Sequence, residues 1–238
     1  MIAAAEAARG VSAALVVAPH PDDESLGCGG LMAALVRRGA RVHVVFVTDG
    51  GASHPNSRSW PRERLASHRA EEAREALRRL GADPAQSSFL GLPDAGMPKA
   101  GTPEREAALT ALTAIVEWLR PDLVLTPWRR DPHRDHRDSW ALARDALQAA
   151  GQEPKILEYA VWLDEIGAPE DRPRTGEAER VEIDVSETRA AKRAAVEAHR
   201  TQIEGVIRDD PDAFQLSPHT IERLTGACEV YWRPCAAT

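Results

Sequence analysis

The 238-residue chain has few cysteines and no long apolar run. Its three cysteines, Cys28, Cys228 and Cys235, have neither the Cys-x-x-Cys spacing of a metal site nor the pattern of a disulfide framework. We therefore expect a reducing compartment, the cytoplasm. The segment before Pro19 lacks the basic leader of a signal peptide. No window reaches the roughly 18 uninterrupted apolar residues of a membrane span, so we expect none.

The chain also lacks a concentrated basic segment. Its 30 lysines and arginines are dispersed among 37 acidic residues, and the formal net charge is -7. Domains that bind nucleic acid usually carry a basic patch, so the sequence argues against a nucleic-acid partner. The partner we expect is a small molecule. Whether the chain forms a homo-oligomer stays open at this stage.

Short apolar runs alternate with segments of helical periodicity, the pattern of βαβ units. We predict an α/β fold with a doubly wound, mostly parallel sheet, helices on both faces and a smaller C-terminal elaboration, in a single domain over residues 1–238. Residues 1–10 read as a flexible tail and residues 164–179 as a surface loop. The predicted strands are Ala13–Ala18, Arg41–Thr48, Ser87–Leu90, Leu123–Pro127, Lys155–Trp162, Val181–Val185 and Cys228–Trp232. The predicted helices are Gly29–Arg38, Arg62–Leu80, Pro103–Leu119, Asp138–Ala149 and Glu187–Glu204.

Two dense polar clusters follow the first and the fourth predicted strands. They are His20-Pro21-Asp22-Asp23-Glu24 and Asp131-Pro132-His133-Arg134-Asp135-His136. In a doubly wound sheet these strands flank the topological switch, and their carboxyl ends open into one crevice. Imidazoles and carboxylates without cysteine suit a catalytic Zn²⁺ or Fe²⁺ held by two imidazoles and one carboxylate. The alternative is that the first cluster caps a helix and the second lies exposed in a loop.

The first cluster together with the pair His133-x-x-His136 resembles the LmbE-like, or PIG-L, family of metal-dependent N-deacetylases. The resemblance covers most of the chain. It implies a Rossmann-like fold, zinc as the usual ion with Fe²⁺ as the alternative in the cell, and a hydrolase that removes an N-acetyl group from an amino sugar or sugar conjugate. Further marks of the resemblance are Leu26-Gly27-Cys28-Gly29-Gly30, Thr48-Asp49-Gly50, Arg69-x-x-Glu72, Gly91-Leu92-Pro93-Asp94 and Lys192-x-x-Ala195-x-x-x-His199-x-x-Gln202.

Carried over position by position, the resemblance assigns roles to the two clusters. The implied metal ligands are His20, Asp23 and His136. It makes Asp22 the general base and His133 the electrostatic or acid partner. Asp135, two residues beyond His133, is placed by sequence to orient a histidine. Asp131 stands where some family members carry a tyrosine that assists the oxyanion, and we interpret it as a partner of Arg134 or another neighbour.

Three further residues, Arg69, Asp94 and Asp49, are candidates for substrate binding. Arg69 lies on the core-facing stripe of its helix, and either Glu72 or the substrate is its partner. Asp94 follows the third strand, where it is either a turn residue or an acceptor for sugar hydroxyls. Asp49 has the same two interpretations. His199 is a candidate for supporting a ligand rather than a ligand itself.

Other functions fit parts of the sequence. A nucleotide-binding Rossmann-type enzyme would need Gly-x-Gly-x-x-Gly, but Met32 occupies the last position of that pattern after Gly27 and Gly29. A non-catalytic metal or sugar binder would have no use for Asp22. An amidase or deacetylase acting on a non-sugar acylated metabolite or antibiotic intermediate remains the main alternative.

Overall fold

The structure is a computed structural model and describes residues 1–235. Eight strands and nine α-helices are found in this part of the chain, with a short 3-10 helix at Pro169–Asp171. The strands are β1 (Ile2–Ala3), β2 (Ala13–Ala18), β3 (Arg41–Thr48), β4 (Ser87–Leu92), β5 (Leu123–Pro127), β6 (Lys155–Tyr159), β7 (Ala178–Asp184) and β8 (Cys228–Pro234). The helices are α1 (Ala4–Ala7), α2 (Asp23–Arg37), α3 (Arg62–Arg79), α4 (Pro103–Leu119), α5 (Arg134–Ala149), α6 (Leu163–Ile166), α7 (Arg189–Val196), α8 (Arg200–Ile203) and α9 (Pro218–Leu224).

The strands form one sheet in the order β1-β7-β8-β6-β5-β2-β3-β4. Strands β2 to β6 pair in parallel, whereas β8 runs antiparallel to both β6 and β7. One buried apolar cluster packs α2, α3 and α7 on one face, and a second packs α4 and α5 on the other. The predicted α/β fold, with a doubly wound and mostly parallel sheet and a C-terminal elaboration, is confirmed.

Strand β2 lies inside the sheet, between β5 and β3, and every one of its residues is apolar. Ala14, Val16 and Ala18 contribute to the cluster on one face, and Leu15 and Val17 to the cluster on the other. A parallel strand covered by helices on both faces needs such a continuous apolar run rather than an alternating one. The polar residues that follow this strand therefore lie at its carboxyl end, at the edge of the core.

The N-terminal residues differ from the flexible tail predicted for residues 1–10. Ile2 and Ala3 pair in parallel with β7, and Ala4 and Ala8 are buried. Alanine side chains are small and favour helix, so α1 can lie close against α2. The alanine-rich segment, whose composition suggested a frayed tail, therefore packs against the rest of the domain through its small side chains.

Helix α2 begins at Asp23, six residues before the predicted start, because it consists of two segments. Cys28 has a non-helical backbone (φ -145°), and the helix breaks there. The Glu229 carboxylate on β8 accepts hydrogen bonds from the N–H groups of Gly30 (2.7 Å) and Leu31 (2.9 Å). It thus caps the second segment, which is the one that the sequence predicts.

Two other helices differ from prediction in ways that affect the site. Helix α5 begins at Arg134, four residues early, because Nδ1 of His133 accepts a hydrogen bond from the N–H of Asp135 at 3.2 Å. The single helix predicted for Glu187–Glu204 is broken into α7 and α8, with His199 between them (φ -81°, ψ 58°). Between α6 and β7, where a surface loop is predicted, the only described helix is the 3-10 turn.

The structure bears on two expectations from composition, the membrane span and the cysteines. Within residues 1–235, no helix combines the length and the apolar character that crossing a membrane requires. All three cysteines are free, and Cys28 is buried. Burial raises the pKa of the Cys28 thiol well above its usual value, which keeps it protonated and unreactive.

A buried ion pair stabilises the break in α2, and its removal is expected to cost much of the stability. Lys192 Nζ lies 2.6 Å from Glu229 Oε1, and the Tyr231 hydroxyl donates to Oε2 of the same carboxylate at 2.7 Å. Glu229→Ala would leave the Lys192 ammonium and two backbone N–H groups buried without an acceptor. We expect the free energy of unfolding to fall by about 3–5 kcal/mol, measured by urea denaturation.

The matched control is Glu179→Ala on the neighbouring strand β7. Its carboxylate contacts Arg233 at the surface, where both side chains are more than half exposed (59% and 56%). Surface pairs contribute little to stability, so this variant should unfold like the wild type. Indistinguishable unfolding curves for the two variants would show that the buried carboxylate does not hold α2.

Candidate active site

The two polar clusters meet at the carboxyl ends of β2 and β5, adjacent strands at which the sheet order reverses. His20 and Asp23 follow β2, and His136 lies in the first turn of α5, just after β5. The rings of His20 and His136 are 5.5 Å apart between centroids. The structure therefore brings the three sequence-predicted metal ligands into one place.

Asp23 lies between the two imidazoles. Its Oδ2 is 3.1 Å from Nδ1 of His20 and 3.2 Å from Nε2 of His136. His136 is fully buried, yet neither of its ring nitrogens makes a hydrogen bond to any described residue. Tetrahedral ligands at about 2.0–2.2 Å from zinc lie roughly 3.3–3.6 Å apart, close to these spacings. The spacings are compatible with a shared divalent ion, and His20 Nδ1 is also within hydrogen-bond distance of Asp23 Oδ2.

The other nitrogen of His20 faces two more carboxylates. Nε2 lies 3.2 Å from Oδ1 of Asp94 and 3.3 Å from Oδ2 of Asp135. A histidine that binds metal through one nitrogen commonly donates from the other to a carboxylate, which fixes the ring. This contact places Asp135 where it could orient His20, and the predicted role of Asp135 toward a metal-binding histidine stays a prediction.

Asp94 lines the cavity, but its contacts differ from the predicted substrate role. Oδ1 faces His20, and Oδ2 accepts the N–H of Ala52 at 2.9 Å. Burial alone would raise the pKa of Asp94, but the His20 ring and the Ala52 N–H outweigh it and hold the pKa below its usual value. Each carboxylate oxygen can accept a second hydrogen bond, so the substrate role of Asp94 stays a prediction.

Asp49 lies outside the cavity, so its predicted substrate role is not matched by its position. Its Oδ1 is 2.7 Å from Nη2 of Arg62 and accepts the N–H groups of Gly51 (3.0 Å) and Asp94 (3.2 Å). Carboxylates at strand ends readily satisfy loop N–H groups in this way. Asp49 thus joins the loops that follow β3 and β4.

His133 lies beside both other histidines. Its ring centroid is 4.9 Å from that of His20 and 5.1 Å from that of His136, and one nitrogen from each of the three rings lies within 4.8 Å of the other two. Nδ1 of His133 is occupied by the N–H of Asp135. Only Nε2 is therefore free, either as a further ligand or as a hydrogen-bond donor.

Asp131 is a site residue whose partner the sequence did not identify. Its fully buried Oδ1 lies 3.5 Å from Nδ1 of His136 and accepts the N–H of His133 at 3.0 Å. Of the two predicted alternatives the structure shows another neighbour, because Arg134 contacts Asp138 one helical turn along α5. Asp131 is placed to orient His136 as Asp94 and Asp135 are placed to orient His20.

Replacing Asp131 by asparagine should weaken metal binding while preserving the fold. The amide keeps the shape of the side chain but removes the charge beside His136, and outer partners of this kind typically contribute about 10–100-fold to metal affinity. Competition with a fluorescent chelator measures this change. Asp138→Asn, on the partly exposed side of α5, is the matched control. Equal metal affinities for the two variants would exclude the proposed role of Asp131.

Asp22 has a strained backbone and an arginine partner. Its φ is +143°, a region that costs a non-glycine residue of order 1–3 kcal/mol. Oδ2 accepts from Nη2 of Arg69 at 3.0 Å, and Arg69 also donates to the carbonyls of Pro21 and Gly50, each at 2.7 Å. Glu72 instead accepts two hydrogen bonds from α8. The partner of Arg69 is therefore Asp22, which neither sequence interpretation had proposed.

Glu24 stabilises the strained turn through a hydrogen bond to the backbone of Asp22. Its Oε2 accepts the N–H of Asp22 at 3.0 Å, and its Oε1 lies 3.0 Å from Nε2 of His199. Glu24 and His199 are both fully buried. His199 thus supports the turn that carries Asp22 and is not among the metal-ligand groups. Burial raises the pKa of Asp22 to about 6, although the Arg69 guanidinium opposes this shift.

A cavity of about 310 Å³ opens above these residues, at the lower end of the range for ligand pockets. Gln202 also lines it, and within the described chain its buried Oε1 has no hydrogen-bond partner. A larger groove of about 520 Å³ lies elsewhere, beside Ile203 and Ile221, and contains none of the clustered residues. The polar wall of the smaller cavity comprises His20, Asp22, Asp23, Arg69, Asp94 and His133.

Known proteins resemble this chain in sequence and in fold. The family model described as GlcNAc-PI de-N-acetylase, PIG-L, matches residues 15–147. The 1D-myo-inositol 2-acetamido-2-deoxy-alpha-D-glucopyranoside deacetylase of Mycobacteroides abscessus is 32% identical over 241 residues, which span 85% of each chain.

Two solved structures illustrate the fold. The N,N'-diacetylchitobiose deacetylase of Pyrococcus horikoshii superposes with a TM-score of 0.70 at 23% identity, over 94% of this chain and 84% of that one. The 4-carboxy-2-hydroxymuconate hydratase of Pseudomonas putida superposes with a TM-score of 0.64 at 20% identity, over 95% and 97%. A deacetylase and a hydratase share this architecture, so the fold alone does not decide the reaction. The family model covers more than half of the chain, and the chain belongs to the PIG-L, or LmbE-like, family.

Proposed function

We propose that the protein is a metal-dependent N-deacetylase that hydrolyses the N-acetyl group of an amino-sugar conjugate. The observation that carries the proposal is the convergence of His20, Asp23 and the buried His136. His20 and Asp23 line the same cavity as the Asp22 carboxylate. The Mycobacteroides relative is named as a deacetylase of an acetamido-deoxyglucopyranoside, and the Pyrococcus enzyme as a deacetylase of diacetylchitobiose. An N-acetylated 2-amino sugar is the element common to both names.

His20, Asp23 and His136 would hold the ion. Two imidazoles and one carboxylate suit Zn²⁺, with Fe²⁺ as the alternative. When bound, such an ion lowers the pKa of water and polarises the amide carbonyl. The buried His136 nitrogens, which lack hydrogen-bond partners in the described chain, support this assignment.

Asp22 takes the proton of the attacking water at Oδ1, because Oδ2 is engaged by Arg69. With a pKa of about 6, this carboxylate is ionised at neutral pH. Because that pKa is close to neutral pH, the protonated group can also give the proton back. The proton then passes to the leaving nitrogen as the C–N bond breaks. The products are a free amine and acetate.

His133 is suited to stabilise the oxygen on which negative charge develops. Its Nδ1 accepts from the N–H of Asp135, so the neutral ring carries its proton on Nε2. Burial, together with the neighbouring His136 and His20, lowers the pKa of His133 to about 4. At neutral pH the ring is therefore a neutral donor rather than a cation, and it donates from Nε2.

The proposal is tested by acetate release from N-acetylated sugars. Metal-free protein, reconstituted with Zn²⁺, Fe²⁺ or Co²⁺, is assayed on N-acetylglucosaminyl-inositol, on diacetylchitobiose and on a minimal acetamide without hydroxyls. We expect metal-dependent acetate release from at least one sugar, at a higher kcat/KM than from the minimal amide. No release from any N-acetylated sugar with any of the three metals would contradict the proposal.

Asp94→Ala is expected to impair hydrolysis of the amino sugar and of the minimal acetamide equally. Asp94 lines the cavity but also contacts His20, so its loss disturbs a proposed metal ligand whichever substrate is bound. Removing a residue that hydrogen-bonds to a metal ligand typically lowers activity by about 10–100-fold, and we expect a loss of this size in kcat/KM. Both substrates are measured on both proteins. A loss confined to the sugar would instead make Asp94 a substrate-binding residue.

A further inference from the structure

One side of the cavity mouth is apolar. Trp162, Ile166 and Phe214 line it, and we call this set the apolar wall. Ile166 is 66% exposed and Phe214 40% exposed. They are two of the five large apolar side chains exposed in residues 1–235; the others are Met1, Ile2 and Trp118. Large apolar side chains exposed beside a polar cavity are typical of a surface that a ligand covers.

The apolar wall is fixed relative to the metal ligands. The Trp162 ring packs edge-on against Phe214, with centroids 5.7 Å apart. The N–H of Trp162 donates to Oδ2 of Asp131 at 3.3 Å, and the other oxygen of that carboxylate faces His136. The N–H of Phe214 donates to the carbonyl of Ser53 across the cavity at 3.1 Å. Because backbone hydrogen bonds hold it from both sides, the wall is preformed, which reduces the cost of binding.

The position of the wall determines which part of a substrate it contacts. On the proposed function, the scissile amide reaches Asp22 and His20, and the amino sugar occupies the cavity. The group attached to the sugar, the aglycone, then extends to the mouth. An inositol aglycone would place hydroxyl groups against Trp162, Ile166 and Phe214 without hydrogen-bond partners, which is unfavourable. An aryl or alkyl aglycone would instead bury apolar surface there.

We propose that the apolar wall binds an apolar aglycone, so that the preferred substrates are aryl or alkyl glycosides of an N-acetylated amino sugar. This inference rests on the proposed deacetylase function. It differs from the inositol conjugate named for the Mycobacteroides relative. The specificity of this chain is then set at the mouth of the cavity by three side chains that take no part in bond breaking.

The test compares the phenyl and methyl α-glycosides of N-acetylglucosamine. Wild-type protein should favour the phenyl glycoside in kcat/KM by about tenfold, the effect of burying roughly 60 Å² of apolar surface. Ile166→Ser and Phe214→Ser should each lose most of this preference, mainly through a higher KM for the phenyl glycoside. Trp118→Ser is the matched control, since Trp118 is 55% exposed on α4 and does not line the cavity. It should retain the preference.

Calorimetric binding of both glycosides to metal-free protein separates this inference from the deacetylase proposal. Tighter binding of the phenyl glycoside, lost in Ile166→Ser and Phe214→Ser, supports the apolar wall even if no acetate is released. Equal affinities and equal kcat/KM values for the two glycosides would overturn the inference, while acetate release from both would leave the deacetylase proposal standing. A preference for a longer N-acyl chain, with no preference for phenyl, would place the apolar group on the acyl side and overturn the inference too.

Discussion

Asp22→Asn should retain its metal ion and lose acetate release by about 10²–10⁴-fold, the usual contribution of a general acid-base group. The amide can still accept from Nη2 of Arg69, so the strained turn keeps its partner. It cannot accept the proton of the attacking water at neutral pH. Steady-state acetate release measures the loss, and elemental analysis measures the metal.

The control for this variant is Asp138→Asn, which makes the same chemical change on α5, where the carboxylate contacts only Arg134 in the described chain. It should match the wild type in both metal content and turnover. Turnover of Asp22→Asn within a few-fold of the wild type would rule out Asp22 as the proton carrier. Loss of metal in Asp22→Asn would mean that this residue supports the ligands and that its effect on rate is indirect.

His136→Ala should lose both the metal ion and the activity. Metal affinity should fall by more than the roughly 10–100-fold effect of an outer partner, because a ligand is removed. The variant also leaves the buried carboxylates of Asp23 and Asp131 facing a cavity, so its unfolding must be measured alongside.

His219→Ala, an exposed histidine on α9, is the matched control and should behave as the wild type. A folded His136→Ala protein that binds one equivalent of metal with unchanged affinity would move the ligand role to another residue. His133 is the first candidate, since its Nε2 is free and its ring lies 4.9 Å from that of His20.

The charge distribution of the site favours a bound cation. Burial of carboxylates is costly unless they are paired, and Arg69 already engages Asp22. Although burial opposes the shift, Asp23 and Asp131 raise the pKa of His136 to about 9, so its proton compensates part of this charge without an ion. A divalent ion would take the place of that proton. The buried carboxylates and the positive φ of Asp22 both lower the stability of the fold, as is common at functional sites. The buried carboxylates around the two imidazoles are Asp22, Asp23, Asp131 and Asp135.

Some elements follow directly from local sequence. Helix α4 has the predicted bounds because Thr102 caps it through its side chain and Pro103 occupies its first turn. Strand β2 also has its predicted bounds, because a run of apolar residues ends there at a polar cluster. The meeting of the two clusters follows from the rule that ligands bind at the carboxyl ends of strands beside the topological switch.

Other features depend on contacts between segments far apart in the chain. Glu229 caps α2 from the last strand, and nothing near Gly30 in the sequence indicates this acceptor. The partner of Arg69 is likewise not its helical neighbour Glu72 but a residue in the turn after β2. A periodic pattern identifies the face on which a charged side chain lies, but not which oxygen it reaches across the fold.

The carboxylates of the site show the same limit. Sequence position places Asp94, Asp135 and Asp131 at strand ends, where several hydrogen-bond partners are available. Which of them faces His20 and which faces His136 depends on how the loops after β4 and β5 close over the sheet. The sequence did not predict that His20 and a loop N–H group contact the oxygens of Asp94, or that loop N–H groups contact Asp49. The substrate role of each residue stays a prediction.

Titration of metal-free protein with Zn²⁺, while acetate release from an N-acetylglucosamine glycoside is followed, tests the central claim most directly. His20, Asp23 and His136 form one site, so activity should rise linearly from zero and stop rising at about one equivalent of metal per chain. Activity that is already maximal in metal-free protein, or that stays absent at every metal concentration, would contradict the proposal that this cavity is a metal-dependent deacetylase site.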